Sequence, residues 1–281
     1  MNQMGFSIAT PSCNSVEMLS RCCASVCDQA SAAASSEHLV VDAASTDGTV
    51  AWLQNRRGLA WSSEPDSGMY DALNKGFSRA SGEYFSWLNA DEQYLPGTLE
   101  KVKVAFEQYP SADIVYGDSL VVDTDNRLIC VRKGEPFRKL YLLNDCLHVL
   151  TCGMFFRRRI WDAGLRFKPN LRCAGENDFF LRALQGGAKT RYLPAYLAAF
   201  TVTGKNLGVS DRAKQELAQL HARRPRWMTI AKPVITLLRR LEKGWNGAYR
   251  MPPELSYELY EAEGEPRKKY TSTSVNCHWP A

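Results

Sequence analysis

Four places in the sequence set carboxylates, amides or a lysine at spacings that could do chemistry. Asp42 ends the apolar run HLVVD (38–42). It reads either as a cap or turn aspartate or as a carboxylate bonding a nucleotide's base or ribose. Asn89-Ala90-Asp91-Glu92 ends a second apolar run, EYFSWL (83–88). Adjacent carboxylates leaving a hydrophobic strand can hold a hard divalent cation, since Mg²⁺ sites commonly combine one or two carboxylates with substrate phosphates. They equally suit a polar loop before a helix. Gly175-Glu176-Asn177-Asp178 opens a helical pattern, where acidic side chains complement the helix dipole. One of them could also take a proton from a hydroxyl as a general base. Between these, EPDSGMYDALNKG (64–76) sets Asp71 and Lys75 four residues apart, which alone supports only a surface ion pair.

The elements that must position these residues alternate along the first half. Strands are expected at Phe6–Thr10, His38–Asp42, Leu59–Ser62, Glu83–Leu88 and Asp113–Tyr116. Helices are expected at Ser15–Asp28, Thr49–Arg57, Met69–Ala80 and Pro96–Tyr109. This pattern predicts βαβ units and an α/β fold, a Rossmann-like and mostly parallel sheet flanked by helices. In such sheets ligands bind outside the carboxyl ends of the strands, where Asp42 and Asn89–Glu92 fall. Beyond Gly117 the pattern predicts a hairpin over 121–131, a strand at 152–156, a helix at 177–186 and strands within 192–202. A helical extension follows from Gly208 to Arg224. Then comes the basic amphipathic segment Trp227–Trp245, broken by Pro233, and a charged, partly disordered tail over 251–281.

Charge is distributed unevenly. The 281 residues carry 35 basic and 30 acidic side chains, net +5, and 45% are hydrophobic, enough for a full core. Residues 1–204 sum to −1, 205–250 to +8 and 251–281 to −2. A near-neutral body argues against a nucleic-acid partner. The nine cysteines match no zinc module, so free thiols in a reducing cytosol are expected. No signal peptide is apparent, and no run reaches the roughly 18 apolar residues of a membrane span. No GxGxxG follows the first strand, which disfavours a dinucleotide-dependent dehydrogenase. His148 reads as a satisfied core histidine, and Arg157–Arg159 as a solvated helix start.

The order of the motifs is more specific than any one of them. FSIATPSCN (6–14), VVDAASTDGT (40–49), EPDSGMYDALNKGFSRASGEYFSWLNADE (64–92), VYGD (115–118), GMFFRR (153–158) and GENDFFLRAL (175–184) together resemble the family-2 glycosyltransferases. The resemblance covers about residues 5–204 and implies a GT-A catalytic domain over 1–204, with a nucleotide-binding half to about 117 and an acceptor half to about 204. It implies that Thr10 and Pro11 close the first strand beside the nucleotide and that Asp42 contacts base or ribose. Asp66, Asp71 and Lys75 fall in the donor-binding stretch. Asn89, Ala90 and Asp91 occupy the family's DXD triplet, with Asn89 in place of the first aspartate. Asp91 would then ligate Mg²⁺ or Mn²⁺ at the donor diphosphate. Glu176 falls on the usual base position, with Asp178 the alternative two residues on.

The implied reaction is inverting transfer of a sugar from a nucleotide sugar, a UDP-sugar favoured, to a saccharide or lipid-linked acceptor in cell-surface polysaccharide or glycolipid assembly. The other reading is a non-catalytic nucleotide-sugar-binding module that keeps the fold. In residues 223–250, apolar side chains interleave with Arg223, Arg224, Arg226, Lys232, Arg239, Arg240 and Lys243, and tryptophans stand at 227 and 245. Such a segment suits the inner face of a membrane. It equally suits packing on the domain or on a second subunit, so the oligomeric state stays open.

Overall fold

The computed structural model describes residues 5–29, 34–204, 210–222 and 224–279. Apolar runs become buried strands, and the amphipathic segments between them become covering helices. In chain order these are β1 (Phe6–Ser12), α1 (Val16–Cys27), β2 (Ser36–Asp42), α2 (Thr49–Gln54), β3 (Ala60–Ser63), α3 (Met69–Ser78), β4 (Tyr84–Trp87), β5 (Gln93–Tyr94), α4 (Thr98–Gln108) and β6 (Ile114–Val122). There follow β7 (Leu128–Arg132), α5 (Lys139–Asn144), β8 (Met154–Arg157), α6 (Arg158–Asp162), α7 (Gly175–Gln185), β9 (Thr190–Thr201), α8 (Asp211–His221), α9 (Arg226–Trp245), β10 (Leu255–Leu259) and β11 (Lys268–Ser272).

One sheet runs β3-β2-β1-β4-β8-β6-β9-β5, with β7 paired to β6. β1 pairs parallel with β2 and β4, β2 with β3, and β6 with β9. β8 enters antiparallel between β4 and β6, so the expected strand at 152–156 sits mid-sheet. All nine residues of β6 are buried, as befits a strand covered on both faces. β6 also runs through position 117, so the two halves expected from sequence share one sheet. α3 and α7 close one side through Leu73, Phe77, Phe179 and Phe180. α1 and α4 close the other through Cys22, Val26, Leu99 and Phe106.

Two C-terminal expectations differ from the structure. Pro233 does not break α9, which is continuous through it. Pro233 and Thr229, whose carbonyl loses its helical donor, are both exposed, so water can replace the missing N–H. The tail, expected to be partly disordered, forms the antiparallel hairpin β10–β11. Tyr257 and Leu259 are buried against Leu120, Val122 and Val131, and Arg267 holds Asp28 and the Tyr94 carbonyl. Alternation of apolar side chains at 255, 257 and 259 is what lets a charged segment pack as a strand. Residues 205–209, Arg223 and the last two residues of the tail, which the sequence reading includes in its C-terminal segments, lie outside the described residues. No described helix is long and apolar enough to cross a membrane.

Candidate active site

The candidate residues lie near the C-terminal ends of β1, β2 and β4, in the loop before α3, on α3 itself and in the first turn of α7. At the end of β1, Thr10 is fully buried and its Oγ1 lies 2.8 Å from His38 Nε2. Burial drives the His38 pKa down to about 4, so its ring is neutral near pH 7. Pro11 follows in register with Val41 of β2. Asp42 is fully buried and accepts hydrogen bonds from Ser45 N (2.9 Å), Ser45 Oγ (2.5 Å) and Ser63 Oγ (2.7 Å). It therefore ties the ends of β2 and β3 together.

The segment after β3 folds back on the first turn of α3. Asp66 accepts from Gly68 N (2.7 Å) and Asp71 from Ser67 N (3.0 Å). Lys75 Nζ lies 3.1 Å from Glu64 and 3.6 Å from Asp71. The i,i+4 pair expected from sequence therefore forms, as part of a closed loop. Gly68 has φ +118°, and a Cβ there would lie 2.0 Å from Arg172 Nη1. The Arg172 guanidinium thus lies across this loop.

The DXD-like triplet divides its roles. Ala90 packs with Leu19, Val40 and Leu53 beneath the loop. Asn89 donates its backbone N–H to Glu92 (2.7 Å), and its Oδ1 is buried without a hydrogen-bond partner among the described residues. Burial pushes the Asp91 carboxyl above its ordinary range. Glu92, which is wholly buried, is pushed well up by burial, with the charges of Asp91 and Glu176 adding to it. An orphaned amide oxygen beside a crowded carboxylate fits a divalent cation, which favours oxygen ligands. The set supplies few protein ligands and leaves the remainder to substrate oxygens and water.

Glu176 stands in the first turn of α7 and accepts from Thr151 Oγ1 at 3.0 Å. Its side chain is half-buried, yet dense protein surrounds the carboxyl and desolvation raises its pKa to about 7. Thr151 opposes that rise, as does the Trp87 indole, which stands close without hydrogen-bond geometry. Asp178 lies about 200° further round the helix. It is buried and gripped by Lys168 Nζ (2.5 Å) and Arg182 Nε (2.7 Å). The two candidate bases are therefore unlike: among the described residues Glu176 has a hydroxyl partner and no cation, whereas Asp178 has two cations.

Other contacts bring α3 and the loop before it to α7. The Tyr70 ring packs so closely on Gly175 that a Cβ there would lie 2.4 Å from Tyr70 Cε2. Glu216 of α8 accepts the backbone N–H groups of Arg172 (2.9 Å), Cys173 (2.8 Å) and Ala174 (2.9 Å), fixing the approach to α7. The sequence reading misses Thr151, Trp87, Tyr70, Arg172 and Glu216. No short-range pattern marks Glu216, whose partners lie 42 to 44 residues upstream. Outside the site, His148 pairs with Asp145 at 3.0 Å and Arg157 with Glu83 at 2.5 Å.

A curled α/β sheet with its functional side chains at the strand ends is the GT-A architecture, and the comparisons agree. Residues 7–164 match the model of Glycosyl transferase family 2, and the chain belongs to that family. A PGL/p-HBAD biosynthesis glycosyltransferase of Mycobacterium tuberculosis is 29% identical over 209 residues, 71% of this chain and 77% of the relative. Among solved structures, S. aureus TarS 1–349 in complex with UDP-GlcNAc superposes with a TM-score of 0.64 at 15% identity, covering 94% of this chain and 99% of that one. The chain spans 60% of the longer TarS chain. The mannosyltransferase PcManGT from Pyrobaculum calidifontis, in complex with GDP-Man and Mn²⁺, gives 0.58 at 18% identity, covering 88% and 76%. At these identities the solved structures speak to fold. The protein is a glycosyltransferase.

Proposed function

We propose that this enzyme moves a hexose from a nucleotide sugar, a UDP-sugar favoured, to a hydroxyl of a saccharide or lipid-linked acceptor, with inversion at the anomeric carbon. Glu176 is the base. The observation that carries this reading is its carboxyl at the first turn of α7, raised to about 7 by burial and without a cationic partner among the described residues. A base titrating near the working pH can accept a proton from a hydroxyl and release it again, an effect typically worth ~10²–10⁴-fold in rate. Glu176 takes the acceptor proton while the acceptor oxygen attacks the anomeric carbon from the face opposite the nucleotide. The bond from that carbon to the diphosphate breaks, and the nucleoside diphosphate leaves. Thr10, Pro11 and Asp42 shape the nucleotide side, with Asp66, Asp71 and Lys75 holding the loop along the donor.

Asp91 and the Asn89 amide oxygen would hold Mg²⁺ or Mn²⁺, which when bound neutralises the diphosphate and improves the leaving group. The Mn²⁺ complex of the Pyrobaculum mannosyltransferase supports this. The UDP-GlcNAc complex of TarS supports a UDP-sugar donor, and the mycobacterial relative's part in PGL/p-HBAD biosynthesis supports a biosynthetic transfer. In this reading residues 1–204 form the catalytic domain, and work proceeds in the cytoplasm at the inner membrane face. A thermal-shift screen of UDP-, dTDP- and GDP-sugars with Mn²⁺ identifies the donor. Turnover of Glu176→Gln and Asp178→Asn then tests the base, and chelation by EDTA tests the metal. Near-native turnover in Glu176→Gln refutes the assignment, as unchanged turnover in chelator refutes the cation.

A further inference from the structure

Exposed large apolar side chains are normally scattered singly over a soluble protein. Among the described residues, seven of the eleven exposed ones lie on α9. Trp227, Ile230, Val234, Leu237, Leu241 and Trp245 recur at intervals of three and four residues, which sets them along one line of the helix. Ile230 is 85% exposed and Trp245 92%. At 1.5 Å per residue the line is about 27 Å long.

The opposite face is committed to the protein. Met228 and Ile235 are buried against Tyr141 of α5. Glu135, itself buried, takes Lys243 and Arg239 from α9 and Arg132 from β7. Glu242 bonds Arg138 and the Tyr141 hydroxyl. Rolling the apolar line inward would strip buried Glu135 of two of its three cations, which is strongly unfavourable. The helix is thus held with its apolar face out.

Charge identifies the occupant. Arg226 and Arg240 are exposed beside the apolar line of α9 and have no ion-pair partner among the described residues, whereas Lys232, seven residues before Arg239, is exposed on the other face within the field of Asp145. The only acid of the helix, Glu242, is engaged inward. A second copy of this chain on the same face would bring like charges into one contact, which disfavours self-association. An anionic surface is matched by an apolar line, basic flanks and tryptophans at both ends, since indoles favour the membrane interface. We propose that the outward face of α9 seats the enzyme on an anionic lipid bilayer. This deepens the preceding reading by naming the surface that would meet the membrane of a lipid-linked acceptor. Its test does not use turnover, so its failure leaves the transfer chemistry standing.

The experiment is co-sedimentation of the full chain with vesicles of pure phosphatidylcholine or of equimolar phosphatidylcholine and phosphatidylglycerol. Binding is expected to the anionic vesicles, weakening as salt screens the basic flanks, with a blue shift of tryptophan emission. The double variant Ile230→Ser/Leu237→Ser should bind at least about tenfold more weakly, each lost apolar contact being of the order of one tenfold step. Arg226→Gln/Arg240→Gln should lose the preference for phosphatidylglycerol. All four positions are exposed, so unchanged circular dichroism and thermal midpoint are expected. Failure of the native chain to bind anionic vesicles overturns the proposal, as does equal binding by the serine variant. So does a concentration-dependent dimer in sedimentation velocity that the serine variant abolishes.

Discussion

Glu176→Gln should cost turnover and raise stability, and the gain should depend on pH in a way that identifies its origin. In the folded protein the Glu176 pKa rises from the ordinary 4.5 to about 7 through burial. Between those values the folded state holds a proton that the unfolded chain releases. Native stability therefore falls as pH rises through this window and levels off above it. At 1.36 kcal/mol per unit, the ionised carboxylate costs about 3 kcal/mol at pH 8. Partial exposure of the side chain makes that figure a ceiling. Gln is isosteric, still accepts from Thr151 and carries no charge, so the variant escapes the cost. Urea unfolding of both proteins at intervals from pH 4 to 8 should give coincident stabilities near pH 4. The difference should grow through the window and reach up to about 3 kcal/mol in favour of the variant at pH 8. Turnover should fall ~10²–10⁴-fold. A difference that does not vary with pH, or a variant less stable at pH 8, would refute the strain assigned to this carboxylate.

Three further perturbations probe the surroundings of α7. Thr151→Val removes the hydroxyl that favours ionised Glu176, so the acid limb of the kcat/KM profile should move to higher pH; an unmoved limb would separate Thr151 from the base. Gly175→Ala forces a Cβ to within 2.4 Å of the Tyr70 ring. Overpacking of this kind costs about 1–3 kcal/mol, so a lower urea midpoint with reduced kcat is expected, and native behaviour would contradict the packing. Glu216→Ala leaves three backbone N–H groups before α7 without their acceptor. A loss of about 2–3 kcal/mol should accompany faster amide exchange at 172–174, measured by hydrogen–deuterium exchange.

Sequence legibility followed the range of the forces involved. The termini of β1, β2 and β4, and with them Thr10, Asp42 and Asn89–Glu92, were readable because buried strands leave local apolar runs. Glu176 and Asp178 were placed on one helical turn, but the sequence could not separate them. What separates them, beyond the local Arg182, is long-range: Lys168 lies ten residues before Asp178, and Thr151 twenty-five before Glu176. The insertion of β8 between β4 and β6 was equally hidden, because periodicity states that a strand exists and not which neighbours it takes. α9 shows another limit. Its amphipathic period was legible, yet the direction of its apolar face was set by Glu135, whose sequence context is an ordinary loop. The tail was underestimated because overall polarity masked a three-residue alternation in β10.

Glu216 has a consequence for how the protein comes into being. Chains are synthesised from the amino end, and domains can begin to fold as they emerge. A nascent chain that has reached residue 204 already contains the whole sheet, the donor-side loop and Glu176. The backbone before α7 nevertheless gains its acceptor only when residue 216 arrives. The segment that follows Glu216 is the helix bearing the exposed apolar face. Completion of the candidate site and appearance of that face are therefore consecutive events of translation, made within about thirty residues of each other.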